Sequence, residues 1–143
     1  MKNLAVILAA GSGERFGDHL PKQFQKIAGR TLLEICLERF QAHPGIDEIV
    51  LVCPAAHLPL AEKTAAAGRF AKVKNILPGG KTRQESSFIA VNAVPSGVEN
   101  ILIHDVARAL VSPVVISRVL EALTVGMAVL ASLPAHFQLC ILK

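Results

Sequence analysis

The chain has 143 residues, 52% apolar and 18% charged, with a formal charge of +4 and an isoelectric point near 9.2. That apolar content can bury one core and offset the entropy of the chain, which excludes disorder and leaves one domain as the expectation. The basic balance does not read as nucleic-acid binding, because the cations are scattered singly, aromatics make up 4%, and neither Trp nor Tyr is present to stack on bases.

Leu4 to Ala10 is a continuous apolar run, as expected of a strand covered on both faces of a parallel sheet. With Lys2 before it the run superficially resembles a leader, but it is of minimum length and flows straight into a charged glycine loop. Thr31 to Phe40 places Leu33, Ile35, Leu37 and Phe40 at mostly helical spacing, with Thr31 and Glu34 as a capping box. Ile49 to Cys53 predicts a second strand, closed by Pro54, and the Ala-rich stretch Pro59 to Ala67 a second helix. Val73 to Leu77 predicts a third strand, and Thr82 with Glu85 a second capping box opening a helix that ends near Ala93. Ile101 to His104 is the fourth strand, and Ser112 and Pro113 cap a helix reaching about Leu123. Ala128 to Leu133 is the last predicted strand. Ala122 to Leu142 carries no charge, but Gly126, Pro134, His136 and Gln138 interrupt it and its densest part has strand length, so no membrane span is expected.

Alternating strands and helices with short turns predict an α/β three-layer sandwich around a mostly parallel sheet. Cys36, Cys53 and Cys140 are widely separated and fit buried thiols in a reducing cytosol better than a disulfide framework or zinc site, so a cytoplasmic protein is expected.

In such sheets ligands sit beyond the carboxyl ends of strands. Three polar segments follow strand ends here: Gly11-Ser12-Gly13-Glu14-Arg15, Gly79-Gly80-Lys81-Thr82-Arg83 and Asp105-Val106-Ala107-Arg108. Gly11 and Gly13 permit a sharp turn that brings backbone N–H groups against phosphate oxygens. The loop is neither G-x-G-x-x-G, since Phe16 replaces the third glycine, nor a P-loop, since it lacks G-K-[ST]. It carries instead Arg15 and Lys22, a fork and a point charge suited to neutralising charge that grows on phosphorus during displacement. Either could equally be a solvated surface cation.

Leu8-Ala9-Ala10-Gly11-Ser12-Gly13-Glu14-Arg15-Phe16-Gly17, continuing to Pro21-Lys22-Gln23-Phe24, resembles the signature loop of 2-C-methyl-D-erythritol 4-phosphate cytidylyltransferases. Gly79-Gly80 with Arg83 and Ser86, and His104-Asp105-Val106-Ala107-Arg108, resemble that family's second and third motifs. The resemblance implies a Rossmann-like nucleotidyltransferase sandwich that transfers CMP from CTP to methylerythritol phosphate and releases pyrophosphate. It implies that Ala9, Ala10, Gly11, Ser12 and Gly13 wrap the nucleotide while Arg15 and Lys22 act in catalysis. Gly80, Lys81 and Ser86 would lie along cytosine and ribose, with Arg83 a further residue of the nucleotide site. Asp105, Val106, Ala107 and Arg108 would lie near the ribose and the magnesium triphosphate, with Asp105 the one plausible carboxylate for Mg2+. A turn-capping Asp105, a solvated Lys81 and a core His104 bonded to backbone are the plainer readings of those residues.

Within the third motif the family usually reads His-Asp-Ala-Ala-Arg-Pro, whereas this chain has Val106 and Ala109, which adds bulk beside the nucleotide and removes a fixed φ. The resemblance covers residues 1–134, a C-terminally truncated domain by comparison with the family, and residues 135–143 read as a divergent tail. The part of the family beyond it supplies a homodimerisation arm and the cations that grip the acceptor. A noncatalytic nucleotide-binding fragment and a ribitol-phosphate enzyme therefore stand as alternatives.

Overall fold

The computed structural model describes residues 1–11, 20–126, 130–133 and 137–142. A six-stranded sheet carries, in chain order, β1 (Asn3–Leu8), β4 (Glu48–Cys53), β5 (Val73–Pro78), β6 (Asn100–Asp105), β7 (Leu130–Leu133) and β8 (Phe137–Leu142). A two-stranded ribbon, β2 (Lys26–Ile27) with β3 (Arg30–Thr31), stands apart from it. The helices are α1 (Leu32–Ala42), α2 (Leu58–Ala67), α3 (Arg83–Asn92) and α4 (Pro113–Leu123).

The strand order is β5-β4-β1-β6-β8-β7. The pairs β5/β4, β4/β1 and β1/β6 are parallel, and β6/β8 and β8/β7 antiparallel. Successive residues of a strand face opposite sides of a sheet, and this sequence uses both sides. Ala5, Ile7, Ile49, Leu51 and Leu102 join the larger core with Leu33, Leu37 and Phe40 of α1 and Ile116 and Leu123 of α4. Leu4, Val6, Val50, Val52 and Ile103 face the other way, onto Ala90 of α3. The continuous apolar runs are thus the two faces of buried strands, and the layers are helix, sheet, helix.

The local signals act as expected at most helix starts. Thr31 and Glu34 form a complete capping box, Ser112 accepts from the Val115 N–H, and Pro113 occupies the first turn of α4. At α3 only half of the expected box forms. Thr82 accepts from the Glu85 N–H, but the Glu85 carboxylate accepts from the Lys81 N–H at 2.6 Å, one residue before the cap.

Of the expected last strand, Leu130–Leu133 is β7, and Ala128 and Val129 lie outside the described residues. Within the stretch expected as a divergent tail, Phe137–Leu142 forms a further strand, which lies between β6 and β7. The short apolar run Leu-Cys-Ile-Leu has strand length, and the β6 edge offers backbone donors and acceptors that need partners.

Candidate functional site

The chain leaves β1 toward β4 on one side and returns to β6 on the other. The order of the sheet therefore reverses at β1, and a crevice opens beyond the strand ends at that point. Register sets its level: Leu8 pairs with both Val52 and Asp105, while Cys53 pairs with Pro78. Two hydrogen bonds carry the ladders one residue past the strands, Ala9 N–H to the Val52 carbonyl at 2.7 Å and Gly79 N–H to the Cys53 carbonyl at 2.8 Å. The loops after β1 and β5 therefore leave the sheet side by side. They are so close that a Cβ on Gly79 would fall inside the van der Waals envelope of the Ala10 methyl.

The cleft so formed has a volume of about 730 Å³. Leu8, Ala10, Gly11, Lys22 and Gln23 line it from the first segment, Gly80 to Arg83 with Ser86 from the second, and Asp105, Val106 and Ala107 from the third. The described residues of the three expected polar segments thus meet in one place, Gly11 standing for the first. Among the described lining residues Lys22, Lys81 and Arg83 oppose the single carboxylate of Asp105, so the walls favour an anion.

The second segment is built by Ser86. Its buried hydroxyl accepts from the Gly80 N–H at 3.1 Å and donates to the Thr82 carbonyl at 3.0 Å, which ties the Gly79-Gly80 turn to the first turn of α3. Across the cleft, Arg83 Nε donates to Asp105 Oδ1 at 2.9 Å, and Arg108 NH1 stands 3.9 Å from Oδ2. Asp105 makes no side-chain cap on the 3-10 turn Val106–Arg108 that follows it, so its carboxylate serves the cleft and not the turn.

That turn is held from beneath by His104. The ring is 2% exposed, packs at 5.1 Å on Phe40, and its Nε2 lies 2.9 Å from the Arg108 carbonyl, which can only accept, so Nε2 carries the proton. Burial lowers its pKa, against the opposing pull of the Arg108 carbonyl bond and the Asp105 charge. The plainer reading of this residue, a core histidine bonded to backbone, is what the structure contains. Val106 is buried and part of the larger core as well as of the cleft wall. Ala109 has φ −59°, already the value a proline would impose, so its presence does not release the backbone there.

Other expected residues lie as follows. Ala9 is buried in the core below the cleft and contributes only backbone. Lys81 is an exposed turn residue at the rim, and Arg108 sits behind Asp105. Ser12, Gly13 and Arg15 lie outside the described residues. Gln23 had been given no role. Its side chain is buried, and its Nε2 donates to the carbonyls of Ala9 and, at 3.1 Å, Gly11. No periodicity marks a buried glutamine, and its only signal was a polar residue wedged between Lys22 and the core residue Phe24.

No group of three metal-ligating side chains exists among the described residues. A magnesium ion carried by a triphosphate keeps several waters and needs only one or two protein carboxylates. Asp105, on the cleft wall and only partly engaged at Oδ2, fits that demand. Cys36 and Cys53 are buried free thiols, pushed by burial up to about 12 and about 11 respectively, and are inert at neutral pH. Among the described residues no helix is long and apolar enough to cross a membrane.

The family model IspD, 2-C-methyl-D-erythritol 4-phosphate cytidylyltransferase, matches residues 3–138, four residues past Pro134. The chain is 46% identical over 134 residues to the 2-C-methyl-D-erythritol 4-phosphate cytidylyltransferase of Thermobifida fusca, covering 90% of this chain and 54% of that protein. It is 40% identical over 136 residues to a bifunctional ribulose 5-phosphate reductase/CDP-ribitol pyrophosphorylase of Haemophilus influenzae, covering 94% of this chain and 29% of that protein. The crystal structure of 4-diphosphocytidyl-2C-methyl-D-erythritol synthase from Anaerococcus prevotii superposes with a TM-score of 0.76 at 23% identity, over 99% of this chain and 67% of that one. The chain thus spans about half the length of the first of these curated relatives, or less. On the family match over most of its length, the chain belongs to the 2-C-methyl-D-erythritol 4-phosphate cytidylyltransferase family.

Proposed function

We propose that the cleft binds CTP with a divalent cation, Mg2+ in the cell, and that the chain carries the nucleotide half of a cytidylyltransferase acting in the cytosol in isoprenoid synthesis. The observation that carries this reading is the convergence of three motif segments on one cleft whose described walls hold three cations and one carboxylate. In the reaction a phosphate oxygen of the acceptor, 2-C-methyl-D-erythritol 4-phosphate, attacks the α-phosphorus of CTP. A new P–O bond forms, the bond to the β-phosphate breaks, and pyrophosphate leaves with the electron pair. The attacking oxygen is already an anion, so positioning and charge neutralisation suffice without a general base.

Lys22 lines the cleft and is assigned, with Arg15, to the charge that develops on the α-phosphate. Gly80, Lys81, Arg83 and Ser86 are assigned to the cytidine side, Asp105 to the cation, and Ala107 to the ribose. Asp105 would hold the cation, which would offset the negative charge of the triphosphate. A second reading, transfer to ribitol phosphate, is favoured by the 40% identity to a CDP-ribitol pyrophosphorylase. A third is nucleotide binding without turnover, since this chain spans 54% of the Thermobifida fusca relative and the family resemblance puts the acceptor-gripping cations and the dimer arm beyond residue 134.

The test is pyrophosphate release from CTP and Mg2+ with methylerythritol phosphate, with ribitol 5-phosphate, or with neither. Release that requires the first acceptor and falls about a hundredfold in Lys22→Ala supports the proposal, since that is the worth of one charge-stabilising group. Release only with ribitol 5-phosphate selects the second reading. CTP binding with no release under any condition selects the third.

A further inference from the structure

We propose that Gln23 is a positioning residue, a clamp that holds Gly11 and Lys22 in fixed relation on the wall of the cleft that takes the polyphosphate; this rests on the CTP reading above. Three consecutive residues of one short turn divide between cleft and core. Lys22 and Gln23 line the cleft, Gln23 with its side chain buried under the segment that leaves β1, and Phe24 enters the larger core, where its ring stacks at 5.5 Å on His57. Phe24 therefore anchors the turn, and Gln23 decides how it sits against the outgoing end of β1.

The Gln23 amide nitrogen donates to the Ala9 carbonyl and to the Gly11 carbonyl. Both acceptors belong to the segment that begins the glycine loop. A carbonyl facing a bound triphosphate would present the negative end of its dipole, so engaging two carbonyls removes two repulsive partners. Because a trans peptide sets its N–H opposite its C=O, turning the Ala9 carbonyl onto Gln23 also turns the Ala10 N–H to the other side. The same amide fixes the distance between Gly11 and Lys22, which line the cleft from opposite ends of the loop. A residue in this position must donate, not accept. Gln23→Glu keeps the length and places an anion against two carbonyls, while Gln23→Met keeps the volume and removes the donor.

The effect should be confined to the polyphosphate and leave the cytidine end unaffected, which a merely structural role would not do. Titration calorimetry of the full chain with magnesium-saturated CTP, CDP and CMP, together with thermal unfolding, reads this directly. Both variants are expected to unfold cooperatively, to bind CMP within about twofold of the unmodified chain, and to bind CTP about tenfold more weakly, with the glutamate worse than the methionine. Unchanged CTP affinity in both variants overturns the clamp. Equal weakening of CMP and CTP, or loss of cooperative unfolding in both variants, also overturns it, by making Gln23 a residue of the fold alone. Failure of the unmodified chain to bind any cytidine nucleotide overturns the CTP reading itself, and is seen before any variant is made.

Discussion

Arg83 and Asp105 reach each other from opposite walls of the cleft, Nε to Oδ1 at 2.9 Å. The arginine thus holds the carboxylate that is assigned to the cation, and the two compete for the same oxygens. Arg83→Gln should tighten Mn2+ binding to the nucleotide-free chain, by up to about fivefold, the worth of a half-exposed pair. Asp105→Asn should weaken it. Electron paramagnetic resonance of bound Mn2+ measures both, and identical affinities in all three proteins would remove Asp105 from the metal site.

Gly79 and Gly11 should respond oppositely to a methyl group. A Cβ on Gly79 would overlap the Ala10 Cβ and stand 3.1 Å from Ser86 Oγ, whereas one on Gly11 meets nothing within 4 Å. Gly79→Ala is expected to cost about 1–3 kcal/mol, as overpacking does, and Gly11→Ala much less. Urea midpoints compare the two, and equal destabilisation would contradict the packing described.

His43 closes α1 and should give stability a pH dependence. Its Nδ1 accepts from the Gly45 N–H at 3.1 Å, so the ring proton sits on Nε2, 3.0 Å from Ser117 Oγ. Burial lowers its pKa below 6.5, the Pro113 carbonyl pulls the other way, and the Lys72 charge lowers it further. The folded chain therefore binds fewer protons than the unfolded one. The stabilisation is full above the unfolded value and is lost as pH falls from about 6.5 through the folded value. His104 is lowered in the same direction. Calorimetry should show Tm falling between pH 7.5 and 5.5, with a smaller fall in His43→Asn, which keeps an acceptor for Gly45. An identical fall in the variant would remove His43 from the effect.

Ala109→Pro tests whether the third motif is loosened by its departure from the family pattern. The residue already has φ −59°, so the change should alter stability by no more than about 1 kcal/mol. The helical conformation of the preceding turn opposes any gain. Thermal unfolding and CTP titration check this, and a large rise in CTP affinity would show that the alanine does weaken the site.

The strands, the four main helices and the meeting of three motifs were legible because each has a local signature. Continuous apolar runs mark two-sided strands, Thr31 with Glu34 and Ser112 with Pro113 mark helix starts, and the strand-end rule points to the cleft. Relations between distant residues were not. That Arg83 meets Asp105, or that Gln23 reaches back to Ala9, depends on how loops leave the sheet, and no spacing in the sequence encodes it. The pairing of Phe137–Leu142 with β6 is likewise a relation between distant residues, Ile101 with Leu142 and Ile103 with Cys140.

The central place of β1 has a consequence for how the molecule assembles. Its two neighbours lie far along the chain, and Asn3 meets Asn100 across 97 residues. β1 is therefore flanked on both sides only after about a hundred further residues have followed it. Closing so long a loop comes before any of the contacts that reward it, and topologies of this kind fold slowly. The apolar run from Leu4 to Ala10 must wait exposed in the meantime, a vulnerability that chaperones exist to cover. The floor of the cleft is thus completed only when β6 reaches β1.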